Sequence, residues 1–317
     1  MRRPGLRVAL AGAALAATIV VPHAARAANC GGTSTGRVPI PDLGASTYSG
    51  AQGGLYPEGA NEPPFVHATV GASVGALVAP RNAAGLPDPA GKIVLLTIGM
   101  SNTRQESAKL VLLSKNDPLR DPGVVVVNGA QGGRPAEDID DLTAPYWTYV
   151  DQQLAGAGVT PQQVQAVWLK QANRSPTEMF PADAERLQAN LRTIVTILKA
   201  RYPNLWLTYL SSRIYAGYAS TQLNPEPFAY QSGFAVKWLI EEQIGGTLPV
   251  GAAPWLAWGP YLWADGLTPR AGDGLTWACD DFQTDGTHPS DQGAAKVGQM
   301  LLDFLHTDPS ASSWYTR

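Results

Sequence analysis

The sequence has 317 residues, of which 44% are hydrophobic, with a formal net charge of -3 and an isoelectric point near 5.8. This charge argues against nucleic acid or an anionic membrane as a partner, because both bind basic protein surfaces. The length allows one large domain or two ordinary ones, and it is ample for a sizeable core.

The first 27 residues predict a secretory signal peptide. A positively charged start precedes an apolar run over residues 8–21, and Ala25-Arg26-Ala27 fits a cleavage site with small residues. The apolar run is too short for a membrane span, and no later stretch is expected to cross a membrane. We therefore expect a secreted or periplasmic protein.

Residues 28–90 are rich in Gly, Pro, Ala and Ser, and we expect them to form an extension packed on the main domain. Short strands are expected over residues 65–70 and 74–78. Cys30, at the start of this segment, and Cys279 are the two cysteines of the chain. An even number of cysteines in an exported protein predicts a disulfide, with two free buried thiols as the alternative.

From residue 91 to residue 317 the pattern alternates strands and helices. Apolar, β-branched runs predict strands near residues 92–98, 123–127, 166–170 and 205–210, with a short one inside 254–277. Helices are expected after Ser101 and over residues 182–200, 228–244 and 290–305. This alternation predicts a single α/β domain, with three α/β/α layers and a mainly parallel central sheet.

Polar residues follow the ends of three predicted strands, at Ser101, Asn128 and Gln171-Ala172-Asn173. Because ligand sites in such folds lie at the carboxyl ends of the strands, we expect these residues at one edge of the sheet. Ser101 also precedes a predicted helix, whose free N–H groups favour a developing oxyanion. The alternative is that Ser101 only caps that helix.

Histidine is scarce after the signal peptide, where His67, His288 and His306 remain. They form no zinc-type cluster at ligand spacing, so we expect no metal and no cofactor, although a calcium site made of carboxylates stays open. His288 follows Asp285 by three residues, just before the last predicted helix. Asp285 can hold the imidazole through Nδ1–H and leave Nε2 as a base towards a serine. A capped turn with a surface histidine is the alternative.

Four motifs, in this order, resemble those of the SGNH (GDSL-like) hydrolase superfamily. They are Gly99-Met100-Ser101-Asn102, Asn128 to Gly133, Gln171-Ala172-Asn173 and Asp285-Gly286-Thr287-His288. The resemblance spans roughly residues 92–305. Two positions depart from the family pattern, because Met100 replaces the usual aspartate and the third motif lacks the usual G-x-N-D.

The resemblance implies a flavodoxin-like fold and a serine ester hydrolase without a cofactor. Ser101 would be the nucleophile, His288 the base and Asp285 the group that orients the base. The backbone N–H groups of Ser101 and Gly133 and the Asn173 side chain would form the oxyanion hole. Gly132 is the fallback for Gly133.

Several residues are candidates for binding the substrate. Arg134 and Arg174 flank two of the motif loops and are suited to a carboxylate or hydroxyl, and Asn102 follows the nucleophile. Trp258 and Trp263 lie in an aromatic stretch that precedes Asp285, where they either line the cleft or belong to the core.

Export, the acidic isoelectric point and the aromatic residues favour a short acyl ester, such as an O-acetylated carbohydrate or polysaccharide, as the substrate. No long apolar lid helix is evident. The alternatives are a lipase or acyltransferase of the same superfamily, or a non-catalytic exported carbohydrate-binding protein. The sequence does not predict an oligomeric state.

Overall fold

A computed structural model describes residue 1 and residues 28–316, so the predicted signal peptide after Met1 lies outside the described residues. The described chain starts with short elements. They are the helix α1 (Ile40–Leu43), the antiparallel strands β1 (Thr47–Tyr48) and β2 (Ala51–Gln52), and the helix α2 (Phe65–Gly75).

A five-stranded parallel sheet forms the centre of the structure. Its strands are β3 (Ile93–Gly99), β4 (Val124–Asn128), β5 (Val164–Lys170), β6 (Leu207–Leu210) and β7 (Trp255–Trp258). The order across the sheet is β4-β3-β5-β6-β7. In register, Leu95 of β3 lies between Val126 and Ala166. The predicted α/β fold with a parallel sheet is confirmed, and the strand order is that of flavodoxin-like proteins.

Helices cover both faces of this sheet. They are α3 (Ser101–Lys115), α4 (Pro145–Gly156), α5 (Ala182–Arg201), α6 (Phe228–Ile244), α7 (Asp291–Thr307) and α8 (Pro309–Tyr315). α3 packs on α7, α7 on α8 and α8 on α2, while α5 packs on α6. Every residue of β3, β5, β6 and β7 is buried. Strands buried on both faces are rich in apolar residues, which explains the apolar runs in the sequence.

The strand order indicates where along the sheet a ligand site is expected. From β3 the chain moves to β4 on one side of it and then to β5 on its other side. The carboxyl end of β3 is therefore the point where the winding of the sheet reverses, and ligands bind beside such points in parallel sheets. Ser101 follows β3 directly after Met100.

The expectation of two short strands over residues 65–78 is wrong, because α2 covers residues 65–75. Its buried face is the stripe His67, Gly71 and Gly75, and Gly71 lies against the ring of Trp255. The apolar side chain of Phe65 is exposed instead. The spacing of the apolar residues therefore could not predict this helix.

The segment over residues 28–90 covers the outer edge of β7. The His67 ring donates from Nε2 to the Leu256 carbonyl at 2.7 Å, and the Trp258 N–H donates to the Tyr56 hydroxyl at 3.3 Å. These contacts satisfy backbone groups that an open sheet edge would leave exposed.

The predicted disulfide between Cys30 and Cys279 is present, with the two Cα atoms 5.4 Å apart. It joins the start of the described chain to the segment that precedes Asp285. Within residues 28–316, none of the helices is both long and apolar enough to cross a membrane.

Candidate active site

Ser101 is the first residue of α3, at the carboxyl edge of the sheet. The helix N-cap is Met100, which makes no side-chain capping bond. The Ser101 hydroxyl does not cap the helix and instead pairs with His288, at 2.8 Å between Oγ and Nε2. The alternative that Ser101 serves only as a helix cap therefore does not hold.

Asp285, His288 and Ser101 form one hydrogen-bonded chain. His288 Nδ1 lies 2.6 Å from Asp285 Oδ2, and a carboxylate only accepts, so the Nδ1 proton is donated to Asp285. This tautomer leaves the Nε2 lone pair facing the Ser101 hydroxyl. The alternative of a surface histidine in a merely capped turn is therefore not what the structure shows.

The Asp285 carboxylate is held in its ionised form. Its Oδ1 accepts the backbone N–H groups of Thr287 and His288, each at 3.0 Å. Burial acts to raise the pKa of Asp285, but these bonds and the bond to the His288 ring outweigh burial and lower it below its usual range.

The turn that carries His288 is fixed by close contacts. Gly286 has φ +64°, and a Cβ at this position would overlap the Tyr218 carbonyl, so a glycine is required. The Asn102 amide, next to the serine, donates to the Thr287 carbonyl at 3.0 Å. Asn102 therefore links the start of α3 to the histidine turn.

Ser101 and His288 open onto a pocket of about 250 Å³. The residues that line it are Met100, Ser101, Asn102, Gly133, Pro135, Arg174, Arg213, Leu223, Thr287 and His288. Of the two candidate glycines, Gly133 lines the pocket. The N–H groups of Ser101 and Gly133 have no hydrogen-bond partner among residues 28–316. Both donors are therefore available to a ligand.

The structure does not bring Asn173 to this pocket, against the expectation from the third motif. The residue is buried, and its Nδ2 donates to the backbone carbonyl and to Oδ1 of Asp183, at 3.2 and 3.0 Å. Asp183 lies in the first turn of α5, and its two acceptors occupy the Asn173 amide, which does not line the pocket. Gln171 likewise bonds the Arg134 carbonyl, at 2.9 Å.

Of the two arginines proposed as substrate ligands, only Arg174 lines the pocket. Its Nη2 donates to the Gly133 carbonyl at 3.0 Å and to Asp138 at 2.7 Å. Arg134 lies outside the lining, with Nη1 3.9 Å from Asp138.

Trp258 and Trp263 belong to the core and not to the cleft. Both are buried, and each indole N–H has an internal acceptor, at 2.7 Å on the Leu55 carbonyl and at 2.8 Å on Glu226. Of the two possibilities left open for these tryptophans, the core is correct.

Arg213 lines the pocket, and the sequence analysis missed it. It follows the end of β6. Like Ser101 and Asn173, Arg213 comes soon after a strand of the parallel sheet, which is the signal that could have found it.

A buried ion pair lies beneath Ser101. Lys170, the last residue of β5, places Nζ 2.5 and 2.6 Å from the two carboxylate oxygens of Glu106 in α3. Their side chains are 1% and 0% exposed. Burial lowers the pKa of Lys170 to about 8, and the Glu106 charge opposes this shift. The Thr103 hydroxyl also donates to the Lys170 carbonyl, at 2.8 Å.

Within residues 28–316, no group of three or more His, Cys, Asp or Glu side chains is arranged to hold a metal ion.

Comparisons with known proteins show a likeness at the level of the fold. No family model and no curated protein matches the sequence. Solved structures of carbohydrate esterases and of a lipase are among those similar to this chain. A carbohydrate acetylesterase from Sinorhizobium meliloti has 11% identity and a TM-score of 0.39, over 67% of this chain and 97% of that one.

Two further structures are similar at the same level. A carbohydrate esterase family 2 enzyme from Corynascus thermopiles (Myceliophthora fergusii) has 14% identity and a TM-score of 0.38, over 70% of this chain and 68% of that one. A protein from Arabidopsis thaliana has 14% identity and a TM-score of 0.36, over 59% of this chain and 62% of that one. The chain thus spans less than two thirds of the Arabidopsis protein. The roles of individual residues rest on the geometry described above.

The buried pair generates a prediction about stability. Glu106→Gln leaves the Lys170 ammonium buried without its counter-charge, so the free energy of unfolding should fall by about 3–5 kcal/mol in urea denaturation. Glu178→Gln breaks a half-exposed pair with Arg186 and should lower it by less than about 1 kcal/mol. An equal, small loss in both variants would contradict a structural role for the buried pair.

Proposed function

We propose that the protein is a secreted serine ester hydrolase that transfers the acyl group of its substrate to Ser101. One observation carries this proposal, the continuous hydrogen-bonded chain from Asp285 through His288 to a serine that opens onto a pocket. A carboxylate, an imidazole and a hydroxyl in this order recur on unrelated folds that carry out acyl transfer. The predicted signal peptide and the disulfide between Cys30 and Cys279 support export.

In this proposal each group of the site has a part in the reaction. Ser101 Oγ attacks the ester carbonyl while His288 Nε2 takes its proton, and Asp285 stabilises the imidazolium that forms. The N–H groups of Ser101 and Gly133 donate to the oxyanion of the tetrahedral intermediate. His288 then protonates the leaving alcohol, and water attacks the acyl-serine by the same path in reverse. The Asn173 amide takes no part in this proposal.

The size of the pocket favours a short acyl group. A volume of about 250 Å³ next to the nucleophile accommodates an acetyl group or a similarly small acyl group. We therefore favour an esterase for short acyl esters, such as O-acetylated carbohydrate, over a lipase. An acyltransferase would use the same acyl-serine with a second alcohol in place of water.

Replacement of the nucleophile tests this function directly. Ser101→Ala should abolish the hydrolysis of p-nitrophenyl acetate down to the residual rate that binding and the oxyanion donors provide. Wild-type protein should cleave the acetate faster than the octanoate. Ser107→Ala removes a buried hydroxyl of the same helix outside the pocket and serves as the matched control.

Hydrolysis that survives in Ser101→Ala would place the nucleophile elsewhere. A folded wild-type protein that cleaves no ester would contradict the proposed function. A preference for the octanoate would contradict the short-acyl assignment while leaving the serine mechanism standing.

The role of Asp285 generates a separate prediction. In Asp285→Asn, Oδ1 still accepts the two backbone N–H groups, so the new Nδ2 faces His288 Nδ1 and donates to it. The ring proton then moves to Nε2, which no longer accepts the Ser101 proton. We expect kcat to fall by about 10³–10⁴-fold with little change in KM.

Asp291→Asn is the matched control, since its carboxylate is largely exposed and pairs with Lys109. Circular dichroism should show that both variants keep the wild-type fold. A kcat within a few-fold of wild type in Asp285→Asn would rule out the assigned tautomer.

A further inference from the structure

Arg213 lines the pocket, and two nitrogen atoms of its guanidinium group lack a hydrogen-bond acceptor among the described residues. The residue is 2% exposed, and it borders the same cavity as Ser101 and His288. Its Nε and Nη2 atoms are buried and have no hydrogen-bond partner among residues 28–316. Burying donors of a charged group without acceptors is strongly unfavourable, so an arginine in this state is suited to a ligand that supplies them.

The neighbouring carboxylates do not fill this role. Glu106, Glu226 and Asp285 each act on Arg213 through their charge. Each of them is hydrogen-bonded to other donors. Glu106 is held by Lys170, Glu226 accepts from backbone and indole N–H groups, and Asp285 accepts from the histidine turn. Their charges compensate part of the guanidinium charge, but its buried donors stay free.

A second guanidinium lines the same small cavity. Arg174 is half-exposed and is fixed by the Gly133 carbonyl and Asp138. No aspartate or glutamate is among the residues that line the pocket. The pocket therefore presents two arginines beside the nucleophile and no negative group to repel an anion.

We propose that Arg213, with Arg174 beside it, forms a carboxylate-binding subsite next to Ser101. The planar fork of a guanidinium matches the two oxygens of a carboxylate and binds them with charge-assisted hydrogen bonds. The preferred substrates are then esters that carry a carboxylate close to the scissile bond. This inference rests on the proposed ester hydrolysis and names the substrate class of that same site.

The carboxylate belongs either to the alcohol part of the ester, as in an O-acetylated acidic sugar, or to the acyl part, as in a succinyl ester. Two matched substrate pairs separate these sources. The first pair is methyl galactopyranosiduronic acid and methyl galactopyranoside, acetylated at the same hydroxyl. The second pair is monoethyl succinate and ethyl pentanoate. Product release is measured for all four esters.

Wild-type protein should favour the acidic member of at least one pair by about tenfold or more in kcat/KM, mainly through a lower KM. The pair that shows this preference identifies the source of the carboxylate. Equal kcat/KM within both pairs would overturn the proposal, and this comparison needs no variant that risks misfolding.

Arg213→Gln should lower the ratio of acidic to neutral kcat/KM by about 10- to 100-fold, as expected for the loss of charged hydrogen bonds. Arg213→Lys keeps the charge without the fork, and it should lose part of the ratio. Arg192→Gln, which removes an arginine of α5 that does not line the pocket and pairs with Glu242, is the matched control and should keep the wild-type ratio. A fall in kcat by the same factor on both members, with the ratio unchanged, would make Arg213 an oxyanion donor and overturn the subsite.

Binding separates this inference from the proposed function. Titration calorimetry of the Ser101→Ala variant compares galacturonate with galactose and succinate with pentanol. Binding of an acid without hydrolysis of any ester by the wild type would refute the esterase and leave the anion site standing. Hydrolysis of both members of each pair at equal rates, without binding of either acid, would refute the anion site alone.

Discussion

The buried ion pair between Lys170 and Glu106 joins the carboxyl end of β5 to α3 beneath Ser101. A buried ion pair offsets the cost of its desolvation only when its geometry is good, so this contact restricts the arrangement of the two elements. It fixes how far α3 lies from β5 and therefore where the first residue of α3 stands. The Thr103 hydroxyl on the Lys170 carbonyl adds a second link at the same place.

The histidine turn reaches Ser101 from the other end of the sequence. α7, which begins just after this turn, packs on α3, and Asn102 bonds the Thr287 carbonyl. The disulfide of Cys279 holds the preceding segment against the start of the described chain. Serine and histidine, which are 187 positions apart in sequence, thus meet because both are anchored to α3. The pocket is preorganised in the sense that its donors are held by the scaffold.

Much of this arrangement could be predicted from the sequence. The strands β3 and β5 are buried on both faces of the sheet, so they consist mainly of apolar residues. Such runs can be recognised in the sequence without knowledge of the tertiary structure. Ser101, Asp285 and His288 occur in short motifs, and the resemblance of these motifs to a family pattern predicted their roles. The rule for parallel sheets also predicts that Ser101, Asn128 and residues 171–173 lie at one edge of the sheet.

Other features depend on contacts that spacing does not contain. The Asn173 amide points to Asp183, ten residues later, and the motif that contains Asn173 gives no sign of it. The buried face of α2 consists of a histidine and two glycines, so its apolar residues gave a misleading pattern. Trp258 can be buried because the Leu55 carbonyl accepts its indole N–H, and the sequence around Trp258 does not show this contact.

Covalent labelling tests the central claim, that Ser101 is an activated nucleophile, most directly. Incubation with a small fluorophosphonate, followed by peptide mass spectrometry, should give one adduct on the peptide that contains Ser101. His288→Ala should slow the labelling by orders of magnitude, because the base that activates the hydroxyl is lost. An adduct on a different residue, or ester hydrolysis by a wild-type protein in which Ser101 stays unlabelled, would contradict the serine mechanism.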